Sequence, residues 1–208
     1  MIDLHCHSTA SDGVLPPAEV VAAAAAIGLT ALALTDHDTT AGLDEARAAG
    51  AALNVEVIGG CEFSVGVPWG EMHLLGYFIE PGDRDIEDFL TAARTDRIRR
   101  GRAMVTKLAG LGVLISYDDV VREAGGGAIG RPHVARALLQ AGHVNTIQQA
   151  FDRYIGRGRP AFVEKALPTL AEVAGLVHAR GGIVSAAHLK SFGTVANLTQ
   201  LKADGLDA

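Results

Sequence analysis

Histidines and carboxylates recur in this sequence at spacings that suit metal ligation. The chain opens MIDLHCHSTASD, with His5 and His7 two apart and Asp12 shortly after. Ile2, Leu4 and Cys6 alternate with Asp3, His5 and His7, which is the period of a β-strand, so the two imidazoles share one face. Imidazole nitrogen and carboxylate oxygen are ligands for Zn, Mn or Fe. His37 in TDHDT, Glu62 after Gly59-Gly60-Cys61, His73 in EMHLLGYFI and His188 after IVSAA extend the set. One ion takes about four to six ligands, so these candidates imply at least two ions, with a carboxylate such as Glu62 bridging. Two ions about 3.5–4 Å apart stabilise the attacking and leaving oxygens of a phosphoryl displacement and lower the pKa of a bound water towards ~7.

The elements that must position these groups alternate. Strand one carries His5 and His7. Pro16-Pro17 opens a helix that Ala18–Ile27 continues and Gly28 ends. Thr30–Thr35 is a buried strand leading into Asp36-His37-Asp38, Thr39–Leu53 a helix, and Val55–Ile58 a third strand leading to Glu62. A fourth strand, Glu71–Ile79, carries His73. This rhythm argues for right-handed parallel βα units. The alternation then stops: Asp83–Leu111, Tyr117–Ala124, Arg131–Ala141 and Thr146–Ile155 read as helices. From Pro168 it resumes with a helix to Arg180, a strand Ile183–Ala187, His188 and a helix to about Ala203. Leu206-Asp207-Ala208 looks like the opening of another strand. The expected organisation is residues 1–80 as the first part of an α/β frame, 81–160 as a helical insertion, and 161–208 as an incomplete second part. The polar candidates gather at strand ends, and in parallel α/β barrels that edge holds the active site.

Hydrophobic residues make up 49% and charged residues 20% of 208, an ordinary globular balance that leaves room for one substantial core. The longest apolar stretch, around Val20–Ala26, is too short to span a bilayer, and no charged segment precedes an apolar one at the start, so neither membrane span nor signal peptide is expected. Cys6 and Cys61 suit no zinc-finger spacing and are read as free thiols of a cytoplasmic protein, with Cys6 packing on the strand face opposite the histidines. The net charge of −6 is uneven: residues 81–165 carry 14 Lys+Arg against 10 Asp+Glu, and the remainder 4 against 14. An acidic body with a basic segment suits an anionic substrate brought to bound cations.

DLHCHSTASDG, LTDHDT, the Gly60-Cys61-Glu62 step, HLLGY and GRPHVARAL together resemble the polymerase and histidinol phosphatase (PHP) superfamily, nearest its small stand-alone bacterial phosphoesterases. The resemblance runs from residue 1 to about 205. It implies a distorted (β/α)7 barrel with a small helical insertion and two to three divalent ions (Mn, Fe or Zn). By matching motif, His5, His7 and Glu62 serve a first ion, Glu62, His73 and His188 a second, and Asp12 with His37 a third. Asp36 and Asp38 resemble groups that orient those ligands. Two departures stand out. The family's proline after the last histidine is replaced by Leu189-Lys190, which offers an ammonium to a substrate phosphate. The late Asp-x-His motif that completes the first and third ion shells is absent, so the chain is expected to lack its last strands, with those ions under-coordinated.

Arg131 and His133, in RPH at a helix start, and Arg157 and Arg159, in IGRGRP, are candidate holders of phosphate. The five arginines from Arg94 to Arg102 lack interleaved aromatics for base stacking and read as a solvated helix face. Trp69 lies in a short loop between Glu62 and His73, a place from which an indole can stack on a base. His143 and His178 are read as surface or packing residues. The resemblance implies a metal-dependent phosphoesterase using a metal-activated hydroxide on nucleotide-type substrates, as a 3′,5′-bisphosphonucleotide 5′-phosphatase or a 5′-3′ exoribonuclease. Its partner is thus a phosphorylated small molecule or a short nucleic acid. The alternatives are a histidinol-phosphatase-like enzyme, a metal amidohydrolase, or a catalytically incomplete phosphate-binding form.

Overall fold

The computed structural model describes residues 1–127 and 129–208, and the chain divides into two compact units, Met1–Leu90 with Leu167–Ala208, and Thr91–Ala166. The first unit opens with strand β1 (Ile2–Cys6), helix α1 (Pro17–Ala26), strand β2 (Ala31–Leu34), helix α2 (Leu43–Leu53) and strand β3 (Glu56–Val67). β1, β2 and β3 pair in parallel, as the βα rhythm predicts, with a helix making each crossover. Pro17 occupies the first turn of α1, where its missing N–H goes unneeded, and Gly28 releases the chain at φ 79°. All four residues of β2 are buried, and Leu32 and Leu34 pack with Val21 of α1 and Leu43 of α2. α2 begins later than the sequence suggests: Asp38, at φ 51°, turns the chain out of any helical start at Thr39.

β3 runs well past Ile58, where the sequence pattern ends it. Glu56–Gly59 pair in parallel with β2, while Gly60–Val67 pair antiparallel with β4 (Gly70–Tyr77). Pro68 and Trp69 make the tight connection between them, which is possible only between antiparallel neighbours. The expected parallel series therefore breaks at β4. Strand β5 (Ile183–Ala186) pairs antiparallel to β4, giving a five-stranded sheet in sequence order. Phe63, Val65, Met72 and Leu74 point from the hairpin into one core. Ile86 and Leu90 join them from the start of α3 (Arg84–Gly110), as do residues of α7 (Leu170–His178) and α8 (Val195–Ala203). The Arg180 guanidinium ties the unit together by pairing with Asp83 at 2.7 Å and with Asp85. The last residues lie along β5: Ala186 N–H donates to the Ala208 carbonyl at 2.9 Å.

The second unit is helical. The remainder of α3 is followed by α4 (Tyr117–Ala124), α5 (Arg131–Gln140) and α6 (Ile147–Ala150), around a core that includes Met104, Leu108, Val120, Val134 and Leu138. Ser116 and Asp119 form a reciprocal cap on α4. The helix expected over 146–155 is α-helical only to Ala150 and widens to a π-turn over Phe151–Ile155. Among the described residues, no helix is long and apolar enough to cross a membrane.

Candidate metal centre

Pairing beyond the named strands brings the histidines together. His5 lies on β1 and His7 just past its end, and their Nε2 atoms are 3.0 Å apart, as a shared strand face requires. Past β2, Glu62 N–H donates to the Asp36 carbonyl at 3.1 Å and Asp38 N–H donates to the Glu62 carbonyl at 3.2 Å, which sets His37 opposite Glu62. Ala187 N–H donates to the His73 carbonyl at 3.0 Å, carrying His188 to the same place. Glu62 sits within β3 rather than at a strand end. Its backbone pairs with Leu75 of β4 on one side and bridges to His37 on the other.

Glu62 is the hub. Its side chain is 1% exposed, and its two oxygens face different partners. Oε2 lies 3.0 Å from His5 Nε2, 2.9 Å from His7 Nε2 and 3.6 Å from His37 Nε2. Oε1 lies 2.8 Å from His73 Nδ1 and 3.2 Å from His188 Nε2. Asp12 reaches in from the rim, 3.4 Å from His7 Nδ1 and 3.8 Å from His37 Nε2. All seven expected ligands line one open pocket, together with Gly13. Burial opposes the charge on Glu62, but the hydrogen bond from His7, the approach of His73 and the charges of His37 and His73 hold its carboxyl well below the usual range. Burial likewise opposes the charged form of His7, yet its hydrogen bond to Glu62 and the charges of Glu62, Asp12 and Asp36 raise its pKa above the ordinary histidine value.

These residues fit a divalent cation. His5 Nε2, His7 Nε2 and Glu62 Oε2 form a triangle with edges of 3.0, 3.0 and 2.9 Å. Two ligands at right angles on bonds of about 2.1 Å stand about 3.0 Å apart. The three contacts cannot all be hydrogen bonds, since two neutral imidazoles and a carboxylate bring at most two protons to these atoms. His73 Nδ1 is buried and makes no hydrogen bond despite its approach to Glu62. Three overlapping groups have the spacing of ligand sets: His5-His7-Glu62, His7-Asp12-His37, and His37-Glu62-His73.

A buried clamp supports the loop after β1. Asp36 accepts from Ser8 N–H at 2.7 Å and from the hydroxyls of Ser8 and Ser11 at 2.6 Å each. Ser11 Oγ also lies 3.4 Å from His7 Nδ1. Asp38 is buried beside it. The loop needs a glycine at position 13, where a Cβ would come within 2.5 Å of the His7 carbonyl oxygen. Ser8, Ser11 and Gly13 escape a search for ligands, because they act on backbone and carboxylate; the tight Ser-Asp-Gly turn is their one trace in the sequence.

The expected substrate-binding residues divide. Lys190 is exposed in a short 3-10 turn, Lys190–Phe192, immediately after His188. Arg131, His133, Arg157 and Arg159 belong to the second unit. There His133 is buried, and its Nδ1 accepts from Gly130 N–H at 2.9 Å, capping α5. The Arg131 guanidinium lies 6.0 and 5.8 Å from the rings of Phe151 and Phe162. Arg157 and Arg159 are exposed. His143 and His178 make structural links, to the Leu114 carbonyl and to Asp207, at 2.8 Å each.

The PHP domain profile matches residues 3–165. The chain belongs to the PHP domain family. It is 39% identical over 186 residues to a 5′-3′ exoribonuclease of Haemophilus influenzae, an alignment that covers 89% of this chain and 68% of that protein. It is 37% identical over 190 residues to a 3′,5′-nucleoside bisphosphate phosphatase of Chromobacterium violaceum, covering 90% of this chain and 66% of the relative. This PHP chain therefore spans about two thirds of the length of those curated relatives. Among solved structures, a candidate metal-dependent phosphoesterase of Bifidobacterium adolescentis superposes with a TM-score of 0.86 at 32% identity, over 99% of this chain and 75% of that one.

Proposed function

We propose that this chain carries the metal centre of a phosphoesterase that hydrolyses phosphate esters of nucleotide-type substrates. The observation that carries the reading is Glu62, whose two oxygens face separate histidine groups, as a carboxylate shared by two cations does. His5, His7 and Glu62 would hold one ion, Glu62, His73 and His188 a second, and Asp12 with His37 a third; Mn, Fe and Zn all suit these nitrogen and oxygen donors. Bound cations supply charge to the phosphate oxygens and a water acidic enough to act at neutral pH. The protein's own part is to keep the imidazoles aimed, which the buried Glu62 carboxylate and the Asp36 clamp do together. Lys190 would offer its ammonium to a non-bridging oxygen. Arg131, Arg157 and Arg159 are proposed as anion-binding residues of the second unit, where the buried His133 serves the start of α5. The sheet is read as belonging to a distorted (β/α)7 barrel, and the free thiols Cys6 and Cys61 suit a reducing compartment.

The names of the two curated relatives support either a bisphosphonucleotide 5′-phosphatase or a nuclease acting from a 5′ end. The test is release of phosphate or mononucleotide under Mn²⁺ from adenosine 3′,5′-bisphosphate and from a short 5′-phosphorylated RNA, beside a panel of N-acyl amino acids. Turnover of a phosphate ester supports the reading; turnover of the N-acyl compounds alone overturns it.

A further inference from the structure

Beside the metal centre lies a second cavity that shares two of its walls. His73 and His188 line both, so a ligand held at the cations borders directly on this space. The cavity has a volume of about 230 Å³ and is partly open to solvent. Its far wall is made by two aromatic rings from distant parts of the chain, both within the first unit. Trp69 comes from the tip of the β3–β4 hairpin and Phe192 from the turn after His188; the rings lie 13° from parallel with centroids 6.0 Å apart. Trp69 packs partly against the main core, which fixes its plane, whereas Phe192 is 46% exposed. Holding Phe192 there takes unusual backbone: His188 and Lys190 have φ of 36° and 51°, both left-handed. Residues other than glycine adopt that region uncommonly, lysine less readily than asparagine, aspartate or histidine, and such residues cluster at functional sites. Lys190 lines the same cavity and brings a positive charge to it.

We infer that this cavity is the subsite for the base of the substrate, with the near-parallel rings of Trp69 and Phe192 offering an aromatic face on which a nucleobase stacks while its phosphate is held at the neighbouring histidines. The inference rests on the phosphoesterase reading and adds to it a residue-level account of which part of the substrate is recognised. A stacked base is gripped by its π-face, so the aromatic face favours nucleotides over other phosphate esters and is tolerant of base identity.

Trp69 is the sole tryptophan of the chain, and its emission reports contact with a base without any need for turnover. The test titrates adenosine 3′,5′-bisphosphate and, separately, base-free ribose 3,5-bisphosphate into the whole chain under Mn²⁺, following fluorescence and released phosphate together. The expected result is quenching by the adenosine compound only. Phe192→Leu, an exposed change that spares the core, should weaken adenosine 3′,5′-bisphosphate binding about tenfold and leave the affinity for the base-free compound as it was. Equal affinity for both compounds, or an equal loss of both in Phe192→Leu, overturns the subsite. Quenching without release of phosphate supports the subsite and counts against the phosphoesterase reading alone; release of phosphate with no preference for the base does the reverse.

Discussion

Glu62 Oε1 and His188 Nε2 meet at 3.2 Å across 126 positions of sequence, on the oxygen that also faces His73. The other oxygen of the same carboxylate faces His5 and His7. Damage to the two sides should therefore be separable. His188→Ala and His5→Ala should each lower the bound metal yet retain part of it, whereas Glu62→Gln, which removes the shared charge, should reduce affinity by at least about 100-fold on both sides. Elemental analysis after dialysis against Mn²⁺ reads this directly. Metal loss in either histidine variant as complete as in Glu62→Gln would show that the two groups are one site.

Asp36 acts at one remove. It is buried and accepts three hydrogen bonds from Ser8 and Ser11, which set the loop that carries His7 and Asp12. Asp36→Ala should leave buried donors unmet, at about 1–3 kcal/mol of stability, and lower metal affinity about 10–100-fold. Thermal unfolding and metal titration on the same sample separate the two effects. A variant that is less stable but binds metal normally would confine Asp36 to a packing role.

Much of this was legible in the residues themselves. The H-x-H alternation placed two imidazoles on one face because strand geometry has a period of two, and the βα rhythm gave β1 to β3 their parallel pairing. The hairpin was not legible. Gly59, Gly60, Gly66 and Gly70 interrupt the pattern across β3 and β4, and a Pro68-Trp69 turn lacks the usual hairpin signature, so a strand that changes partners halfway read as a short strand and a loop. The Asp36 clamp and the Trp69–Phe192 pair escaped for another reason: they join residues far apart in the chain, and no local period encodes a tertiary contact.

The pairing of Asp83 with Arg180 gives the first unit a pH dependence. Ile86 N–H, which Asp83 caps, and the Arg180 guanidinium lower the Asp83 pKa in the folded state. A carboxyl whose folded pKa lies below its unfolded value, about 3.9, stabilises the fold above that value and loses its contribution as pH falls through the folded pKa. Urea midpoints for the parent and Asp83→Asn should differ at neutral pH and converge as pH falls through the folded pKa of Asp83. A gap that stays constant with pH would place the effect in packing.

Cations that bind only the folded centre should also stabilise it by mass action. At about 100 times the dissociation constant the gain is about 2.7 kcal/mol, or about 5–10 °C in Tm for a chain of this size. Mn²⁺ should produce that shift in the parent, and a chelator should reverse it. An equal shift in Glu62→Gln would mean that the ions bind elsewhere.

The most direct measurement is the metal content of the purified chain after stripping with chelator and dialysis against Mn²⁺. Convergence of His5, His7, Asp12, His37, Glu62, His73 and His188 on one pocket predicts more than one ion per chain. A protein that remains folded and returns from that dialysis without metal would contradict it.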